Sequence, residues 1–503
     1  MSCTVSGLHA IPVHVELDIT NGLPGLTIVG MGDTAVRESR ERVLAALRNS
    51  GYELPPSRVT VSLAPADLRK EGGRFDLPIA LGILAALKAF PASSLEGYLV
   101  MGELSLTGEV VGREPAFPAA LLARNSGLEG MILPREMASE ASLVEGFRPL
   151  PANCLSELTE YLRGTRELEK TVKPSVRKPD KVPDLKDVSG QPLAKRALEI
   201  AASGGHNLLL VGPPGSGKTM LARRMTGILP RLSTEESMEI TAIHSVAGIL
   251  SPNGGLLETP PFRAPHHTIS QVGLAGGGTL PRPGEITLAH RGVLLLDEMS
   301  EFRRSALETL RQPLEDGRII ISRASGSVCY PADFLLVGTT NPCPCGYLGC
   351  ETKPCTCPPS AIARYRRRIS GPLLDRIDLV VQVRALEPDM LHSSDTGEPS
   401  HSVFLRVDRC RSIQYGRFGK EPESLNARLW PERLRDVSPL QTEHRRIIDG
   451  AMKNLGLTAR GYFRVLRVAR TIADLEGELF PAPEHLAEAL LYRPVLDSPI
   501  MSI

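Results

Sequence analysis

Alternating apolar and polar positions in the first third of the chain predict β-strands. The segments VHVELDI, RVTVSL and GYLVMGELSL carry this period-two pattern. Between the first two, DTAVRESRERVLAALRNSG repeats its apolar residues at helical spacing, with Asp33 or Thr34 able to cap the helix and Gly51 able to end it. Residues 1–163 are therefore predicted to form an α/β or α+β domain.

Three further regions follow along the chain. Residues 164–184 are rich in lysine, arginine and proline, which is typical of an exposed linker. A second α/β unit is predicted for residues 185–385, and a mostly helical region for residues 386–503.

The longest apolar stretch, LPIALGILAALKAF, is too short to span a bilayer and contains Lys88, so it predicts a buried helix. Because no basic segment followed by an apolar run opens the chain, we expect a cytoplasmic protein with no membrane partner.

The strongest chemical signal lies in NLLLVGPPGSGKTMLARRM. An apolar strand, Leu208 to Val211, leads into a glycine-rich turn and then into a helical pattern, the context that a phosphate-binding loop requires. Backbone N–H groups of such a loop surround the phosphates of ATP, the lysine reaches the β and γ oxygens, and the threonine hydroxyl ligates Mg²⁺. The residues expected to bind ATP are Gly212, Pro213, Pro214, Gly215, Ser216, Gly217, Lys218 and Thr219.

An acidic pair follows a second apolar strand in GVLLLDEMSEF. Asp297 is expected to complete the Mg²⁺ shell together with Thr219, and Glu298 to polarise the attacking water. An acidic pair after a strand can also simply cap a helix. Its position downstream of the phosphate loop favours the catalytic interpretation.

Two more polar residues end or precede apolar strands. Asn341 closes FLLVGTTN, where an amide is expected to orient the lytic water, although an asparagine before Pro342 can also merely turn the chain. Arg376, in SGPLLDRIDLVVQV, suits a finger that reaches the γ-phosphate of a neighbouring subunit. The alternative for Arg376 is a surface salt bridge with Asp375 or Asp378.

Overall composition adds little, but the cysteines raise a separate question. The 58 basic and 57 acidic residues nearly cancel, so attraction for nucleic acid must come from local patches. Of nine cysteines, five lie between Pro342 and Pro359. Cys343, Cys345, Cys355 and Cys357 could hold one structural Zn²⁺, or all could be free reduced thiols. Their place on a loop beside Asn341 argues against a catalytic role, and a reducing compartment argues against disulfides.

Taken together, the phosphate loop, LLLDE, the strand-end asparagine and LLDRID resemble an AAA+ ATPase. The intervening FRAPHHTISQVGLAGGGTLPRPGEITLAHRG resembles the Mg-chelatase-like branch of that superfamily. The stretch GLPGLTIVGMGDTAVRESRERVLAALRNSGYELPPSRVTVSLAPADLRKEGGRFDLPIALGILAA is similar to the N-terminal domain of the ComM/YifB family, and the resemblance covers the chain nearly end to end.

The resemblance implies an N-terminal domain with the fold of ribosomal protein S5 and the Lon protease domain, an AAA+ core and a helical lid. It also implies a homo-oligomeric, hexameric ring that uses ATP and Mg²⁺ to act on branched or single-stranded DNA, since ComM is a branch-migration helicase. In the lid, TARGYFRVLRVARTIADLEG best matches the sensor arginine at Arg460, with Arg464 and Arg467 on the same helical face. Such a face of like charges needs an anionic partner. No protease activity is expected, because KEGGRFDLP offers no serine for a Ser/Lys dyad.

Two insertions are the expected DNA contacts. One is the RAPHHTIS to RPGEITLAH stretch, in which His266 and His267 are interpreted as structural or DNA-facing and not as metal ligands. The other is the hairpin GRIIISRASGSVCYPADF, whose small tip, Ala324 to Gly326, follows Arg323 and suits a pore loop that pushes on a phosphate backbone. A plain surface turn is the alternative. The competing function is a chelatase-type ATPase that remodels a protein partner for metal insertion.

Overall fold

A computed structural model describes residues 1–23, 25–30, 34–54, 56–68, 70, 72–169, 171, 182–251, 254–278, 281–323, 326–351, 353–385, 397–455 and 457–493. The chain divides into two compact units: Met1–Lys178 together with Ser237–Leu257, and Pro179–Glu236 together with Glu258–Ile503. The suggested cap Asp33, the hairpin tip at residues 324–325, most of the expected linker and the last ten residues lie outside the described residues.

In its described residues, the first unit has nine strands and a set of helices. Its strands are β1 (Ser2–Ser6), β2 (His9–Asn21), β3 (Gly25–Val29), β4 (Ser57–Ala64), β5 (Tyr98–Val100), β6 (Glu103–Leu104), β7 (Val110–Val111), β8 (Gly130–Pro134) and β9 (Arg148–Ala152). Its helices are Thr34–Asn49, Asp76–Ala86, Ala116–Asn125, Arg135–Ala141 and Leu155–Leu162, with 3₁₀ turns at Gly73–Phe75 and Ala92–Leu95. VHVELDI and RVTVSL lie within β2 and β4, and the helical segment forms Thr34–Asn49, whereas GYLVMGELSL divides into the two short strands β5 and β6. The mixed α and β fold is confirmed.

Sheet pairing in this unit is mostly local. The first sheet has the order β1-β2-β4-β3, antiparallel except for the parallel pair β3 and β4, and a second, parallel sheet has the order β5-β8-β9. The apolar stretch that begins at Leu77 forms the buried helix Asp76–Ala86, as its composition predicts. That helix ends two residues before Lys88, which has a positive φ.

One segment of the sequence groups with an unexpected part of the chain. Residues 237–257, placed by sequence within the ATPase core, belong by their contacts to the first unit. Ala242 is buried there in one cluster with Leu99 and Phe117. The carboxylate of Glu140 accepts hydrogen bonds from the Phe117 N–H and from the hydroxyl of Ser245, which ties the segment in place.

The second unit contains a parallel sheet with the order β11-β14-β17-β10-β18. The strands are β10 (Leu208–Val211), β11 (Phe262–Arg263), β14 (Val293–Leu296), β17 (Leu335–Thr340) and β18 (Leu379–Gln382), with hairpins β12 (Gly276–Gly277) to β13 (Arg282–Pro283) and β15 (Arg318–Arg323) to β16 (Gly326–Pro331). The four-residue strands β10 and β14 are buried throughout, as expected of apolar runs in a parallel sheet.

Helices surround this sheet and continue to the end of the described chain. They are Pro192–Gly204, Lys218–Arg223, Gln271–Ala275, Glu285–Leu288, Arg304–Glu308, Arg311–Asp316, Pro359–Arg366, Gly371–Leu374, Ser400–Phe418, Pro431–Val437, Thr442–Leu455, Ala459–Glu476 and Pro483–Leu491, with 3₁₀ turns at Leu185–Asp187, Arg224–Gly227, Met299–Glu301, Pro422–Ser424 and Asn426–Arg428. The helix Thr234–Ala247 lies mostly in the segment that groups with the first unit. Leu208 and Val381 of the sheet share one hydrophobic core with Leu466 and Leu486 of the C-terminal helices. In the described part of the chain, no helix has both the length and the apolar character needed to cross a lipid bilayer.

Candidate nucleotide site

The glycine-rich turn after β10 has the backbone that a phosphate loop needs. Gly215 and Gly217 have φ values of +79° and +87°, a region that strains any residue with a Cβ. The helix Lys218–Arg223 begins directly after the turn. Its first N–H groups and those of the turn are therefore available to an anion.

Lys218 is buried at the centre of the turn. Its ammonium nitrogen lies 2.8 Å from the carbonyl oxygens of Gly212 and Pro213 and 3.2 Å from the side-chain oxygen of Asn341. Burial lowers the pKa of Lys218, and the charges of Asp297 and Glu298 raise it in part. The negative charge of a phosphate group would offset the cost of removing the Lys218 ammonium from water.

A second cluster of oxygen atoms forms beside the turn. The hydroxyl of Thr219 donates to both carboxylate oxygens of Asp297, at 2.9 and 3.0 Å. These residues meet because β10 and β14 both neighbour β17 in the parallel sheet, so that their carboxyl ends lie at the same edge. Hydroxyl and carboxylate oxygens are the ligands that Mg²⁺ prefers, so this pair fits the metal expected with ATP.

Thr339 belongs to the same cluster and was not singled out from the sequence. Its hydroxyl donates to Asp297 Oδ1 at 2.6 Å and accepts a hydrogen bond from the N–H of Glu298 at 3.0 Å. The threonine therefore fixes the orientation of the carboxylate. The available signal was its position two residues before Asn341, on the strand that ends at the site.

Glu298 follows Asp297 but has a different setting. It is exposed, and its φ of +53° is unusual for a residue other than glycine. A backbone conformation of this kind costs of order 1–3 kcal/mol and is typical of functional sites.

The remaining candidate on this unit's core, Arg376, has a partner within the same chain. Its guanidinium forms an ion pair with Glu315 and donates to the carbonyl oxygen of Pro372 at 2.7 Å. Neither Asp375 nor Asp378, the alternatives suggested by the sequence, is this partner. Glu315 lies on the exposed end of the helix Arg311–Asp316.

The three arginines on the helix Ala459–Glu476, called the lid helix below, have three different surroundings. Arg460 is exposed at the start of the helix. Arg464 is buried, with its Nε 3.7 Å from Asp378 Oδ1, and Arg467 donates to the carbonyl oxygen of Leu429 at 2.7 and 3.0 Å. The anionic partner required by the spacing is thus within the chain for Arg464, whereas Arg467 bonds to a backbone carbonyl. Arg460 alone of the three is exposed.

Asp378 links the sheet to the lid helix. Its carboxylate lies 3.6 Å from Nδ1 of the buried His206, whose Nε2 contacts the hydroxyl of Thr471 at 2.7 Å. Burial raises the pKa of Asp378, but His206 and Arg464 outweigh that effect and hold this pKa below its ordinary value. No local sequence pattern indicates this network, because its members come from three distant segments.

The two insertions pack against each other in the described residues. The hydroxyl of Tyr330, on β16, donates to the carbonyl oxygen of Pro281 at 2.7 Å, and a Cβ at Gly276 would lie 2.9 Å from the Ile321 side chain. His266 and His267 stack with ring centroids 4.1 Å apart, and His266 is hydrogen-bonded to Thr268.

The cysteine-rich loop lies between β17 and the helix Pro359–Arg366. The sulfur atoms of Cys343, Cys345, Cys355 and Cys357 all lie within 4.8 Å of one another. Cys350 is not part of this group. The four positions named from the sequence are therefore brought together by the fold.

Comparison with known families covers most of the chain. Residues 184–391 match the family described as magnesium chelatase, subunit ChlI, residues 15–137 match subunit ChlI of Mg-chelatase, and residues 397–493 match the ChlI C-terminal region. The chain is 45% identical over 494 residues to the competence protein ComM of Haemophilus influenzae, covering 97% of this chain and 95% of the relative. It is 44% identical over 491 residues to YifB of Salmonella typhimurium, with the same two coverages. A magnesium-chelatase 67 kDa subunit of Chlorobaculum parvum is 30% identical over 162 residues, 31% of this chain and 23% of that protein.

Proposed function

Because this chain belongs to the ComM/YifB family of Mg-chelatase-like AAA+ ATPases, we propose that it is an ATP-driven motor that moves branch points in DNA. The motor is a cytoplasmic hexameric ring, with residues 1–163 as a scaffold or DNA platform, residues 185–385 as the ATPase core and residues 386–503 as the lid. The observation that carries the proposal is the assembled nucleotide site in a chain that matches a competence protein over nearly its full length.

Different groups of the site have different roles in the hydrolysis of ATP. Backbone N–H groups of residues 212–217 and the ammonium of Lys218 bind the phosphates. The ammonium exchanges its carbonyl partners for phosphate oxygens. Thr219 and Asp297 would hold Mg²⁺, which would neutralise charge on the phosphate oxygens. Thr339 keeps the Asp297 carboxylate in position for this role.

Two residues handle the attacking water. Asn341 is within hydrogen-bond reach of Lys218 and so lies next to the terminal phosphate. Its amide orients the water, and the exposed carboxylate of Glu298 polarises it. Arg460, exposed at the start of the lid helix, contacts the phosphates when the lid closes.

Arg376 acts across the interface between subunits. Its ion pair with Glu315 involves an exposed carboxylate, which is a weak interaction in water. The γ-phosphate of a neighbouring subunit carries more charge and competes for the guanidinium. Hydrolysis therefore depends on ring assembly.

Contact with DNA is assigned to the packed pair of insertions. The hairpin β15 to β16 packs against β12 and Pro281. A force on the hairpin is therefore transmitted to the segment that precedes Asp297. A relative that aligns with nearly the whole chain is named a competence protein, and this name supports DNA as the substrate. A chelatase-type remodelling function is less well supported, because the magnesium-chelatase 67 kDa subunit of Chlorobaculum parvum aligns with 31% of the chain, whereas the competence protein aligns with 97%.

Steady-state ATP hydrolysis with and without a synthetic four-way DNA junction tests the proposal. We expect hydrolysis to rise when the junction is added, Glu298→Gln to lose this activity while binding ATP, and Lys218→Ala to lose it by failing to bind. Branch migration of a labelled junction is then measured directly. Intact hydrolysis that no DNA structure stimulates would instead support a protein-remodelling ATPase.

A further inference from the structure

Four sulfur atoms on the cysteine-rich loop have the spacing of a metal site. The sulfur of Cys343 lies 3.4 Å from that of Cys345 and 3.6 Å from that of Cys355, and Cys345 and Cys355 are 3.6 Å apart. Cys357 completes a group within 4.8 Å, and all four cysteines are free of disulfides. Four sulfurs at about 2.3 Å from one Zn²⁺ form a tetrahedron with edges of about 3.8 Å.

The loop backbone supports the same arrangement. The N–H of Cys345 donates to the sulfur of Cys357, and the N–H of Cys357 donates to the sulfur of Cys355, each at 3.4 Å. Such N–H groups stabilise thiolates and orient them as metal ligands. Gly346, with a φ of +85°, turns the chain so that the two Cys-x-Cys pairs face each other.

The loop also touches the nucleotide site. A Cβ at Gly346 would lie 2.5 Å from Cδ of Pro214 and 3.7 Å from Cγ of Asn341, so the loop backbone rests on the phosphate loop. At its far end the loop leads into the helix that carries Tyr365, whose hydroxyl bonds to Thr340. Both ends of the cysteine-rich loop are therefore anchored at the end of β17.

We propose that Cys343, Cys345, Cys355 and Cys357 hold one structural zinc ion, which keeps Gly346 packed on Pro214 and so maintains the affinity for nucleotide. Four thiolates leave zinc no open position for substrate, which makes the site structural and not catalytic. The coupling rests on the nucleotide site of the proposed function, but the zinc site and its effect on ADP binding do not depend on DNA.

Metal analysis of the full-length wild-type protein tests whether the four cysteines bind zinc. We expect elemental mass spectrometry to find one zinc ion per chain. X-ray absorption at the zinc edge is expected to show four sulfur atoms at about 2.3 Å from the metal. Cys355→Ser is expected to lose the metal, whereas Cys350→Ser, a matched change in the same loop outside the group, is expected to keep it. If the reduced wild-type protein neither contains zinc nor retains it after incubation and desalting, the site is refuted without relying on any variant.

A pair of glycine variants tests the coupling. Gly346 and Gly349 both have left-handed backbones, at φ +85° and +74°, but a Cβ at Gly349 would meet nothing within 4 Å. Gly346→Ala is expected to keep zinc and to weaken binding of fluorescent ADP by about tenfold, because the added Cβ displaces Pro214 and with it the phosphate loop. Gly349→Ala has the same backbone strain and is expected to bind ADP like wild type. Equal ADP affinity in both variants would refute the coupling, whatever the result of the DNA assays.

Discussion

The ammonium nitrogen of Lys218 lies 3.2 Å from the side-chain oxygen of Asn341, although 123 residues separate them in sequence. The contact joins the start of a helix to the end of β17, across neighbouring parallel strands. An amide held at this position faces the place where Lys218 meets the terminal phosphate. The contact supports the role in hydrolysis proposed above for Asn341.

Asn341→Ala is expected to lower the rate of ATP hydrolysis by about 100-fold or more, because a group that positions the reacting water is lost. Affinity for ADP should stay close to that of wild type, since Lys218 keeps its other partners. Single-turnover hydrolysis and fluorescent ADP binding, measured on the same preparation, separate the two effects. An unchanged rate would show that Asn341 only turns the chain.

Arg376→Ala is expected to lose about 1,000-fold in hydrolysis while still binding ATP, because the arginine acts on a neighbouring subunit. Mixing Arg376→Ala with Lys218→Ala subunits should restore part of the activity, since some interfaces then pair an intact arginine with an intact phosphate loop. Glu315→Gln is the matched control, because it removes the same ion pair and keeps the arginine. If Arg376→Ala and Glu315→Gln have similar activity and mixing restores none, Arg376 forms only a surface salt bridge.

Arg460→Ala and Arg464→Ala, one turn apart on the lid helix, are expected to differ in kind. Arg460 is exposed, so its removal should change the free energy of unfolding by less than about 0.5 kcal/mol and should reduce hydrolysis. Arg464→Ala leaves Asp378 buried without one of its cations, which costs about 3–5 kcal/mol. Urea denaturation and ATPase rates of both variants check this. The assignment of Arg460 fails if its variant hydrolyses ATP normally.

Asp378→Asn is expected to reveal a pH-dependent contribution to stability. The pKa of Asp378 lies below its ordinary value of 3.8, so the folded chain favours the carboxylate. This contribution is complete above the ordinary value and is lost as the pH falls through the lower folded pKa. The gap in unfolding free energy between wild type and Asp378→Asn should therefore be constant from neutral pH to about pH 4 and should narrow below it.

Urea unfolding across that pH range measures the gap, with Asp375→Asn as a control on the same turn. Asp375→Asn is expected to follow wild type more closely, because it leaves the approach of His206 and Arg464 to the Asp378 carboxylate intact. A gap that is absent at neutral pH would contradict a buried ionic link between β18 and the lid helix.

Local sequence patterns determined the elements and the main chemical groups of this protein. The strands at Leu208–Val211 and Val293–Leu296 were predictable because buried parallel strands are continuous apolar runs. The phosphate loop was predictable because its glycines must adopt backbone angles that other residues avoid. Both signals lie within a few consecutive residues, and neither depends on the rest of the fold.

Partners that come from distant segments were decided only by the tertiary structure. The tertiary structure pairs Arg376 with Glu315 and Arg464 with Asp378, and it places the Thr339 hydroxyl in hydrogen-bond contact with Asp297. It also grouped residues 237–257 with the first unit and brought two Cys-x-Cys pairs together against Pro214. Charge and residue type restrict the possible partners, but which of them meet depends on the order of strands in the sheet and on the packing of helices around it, and neither is encoded in a local pattern.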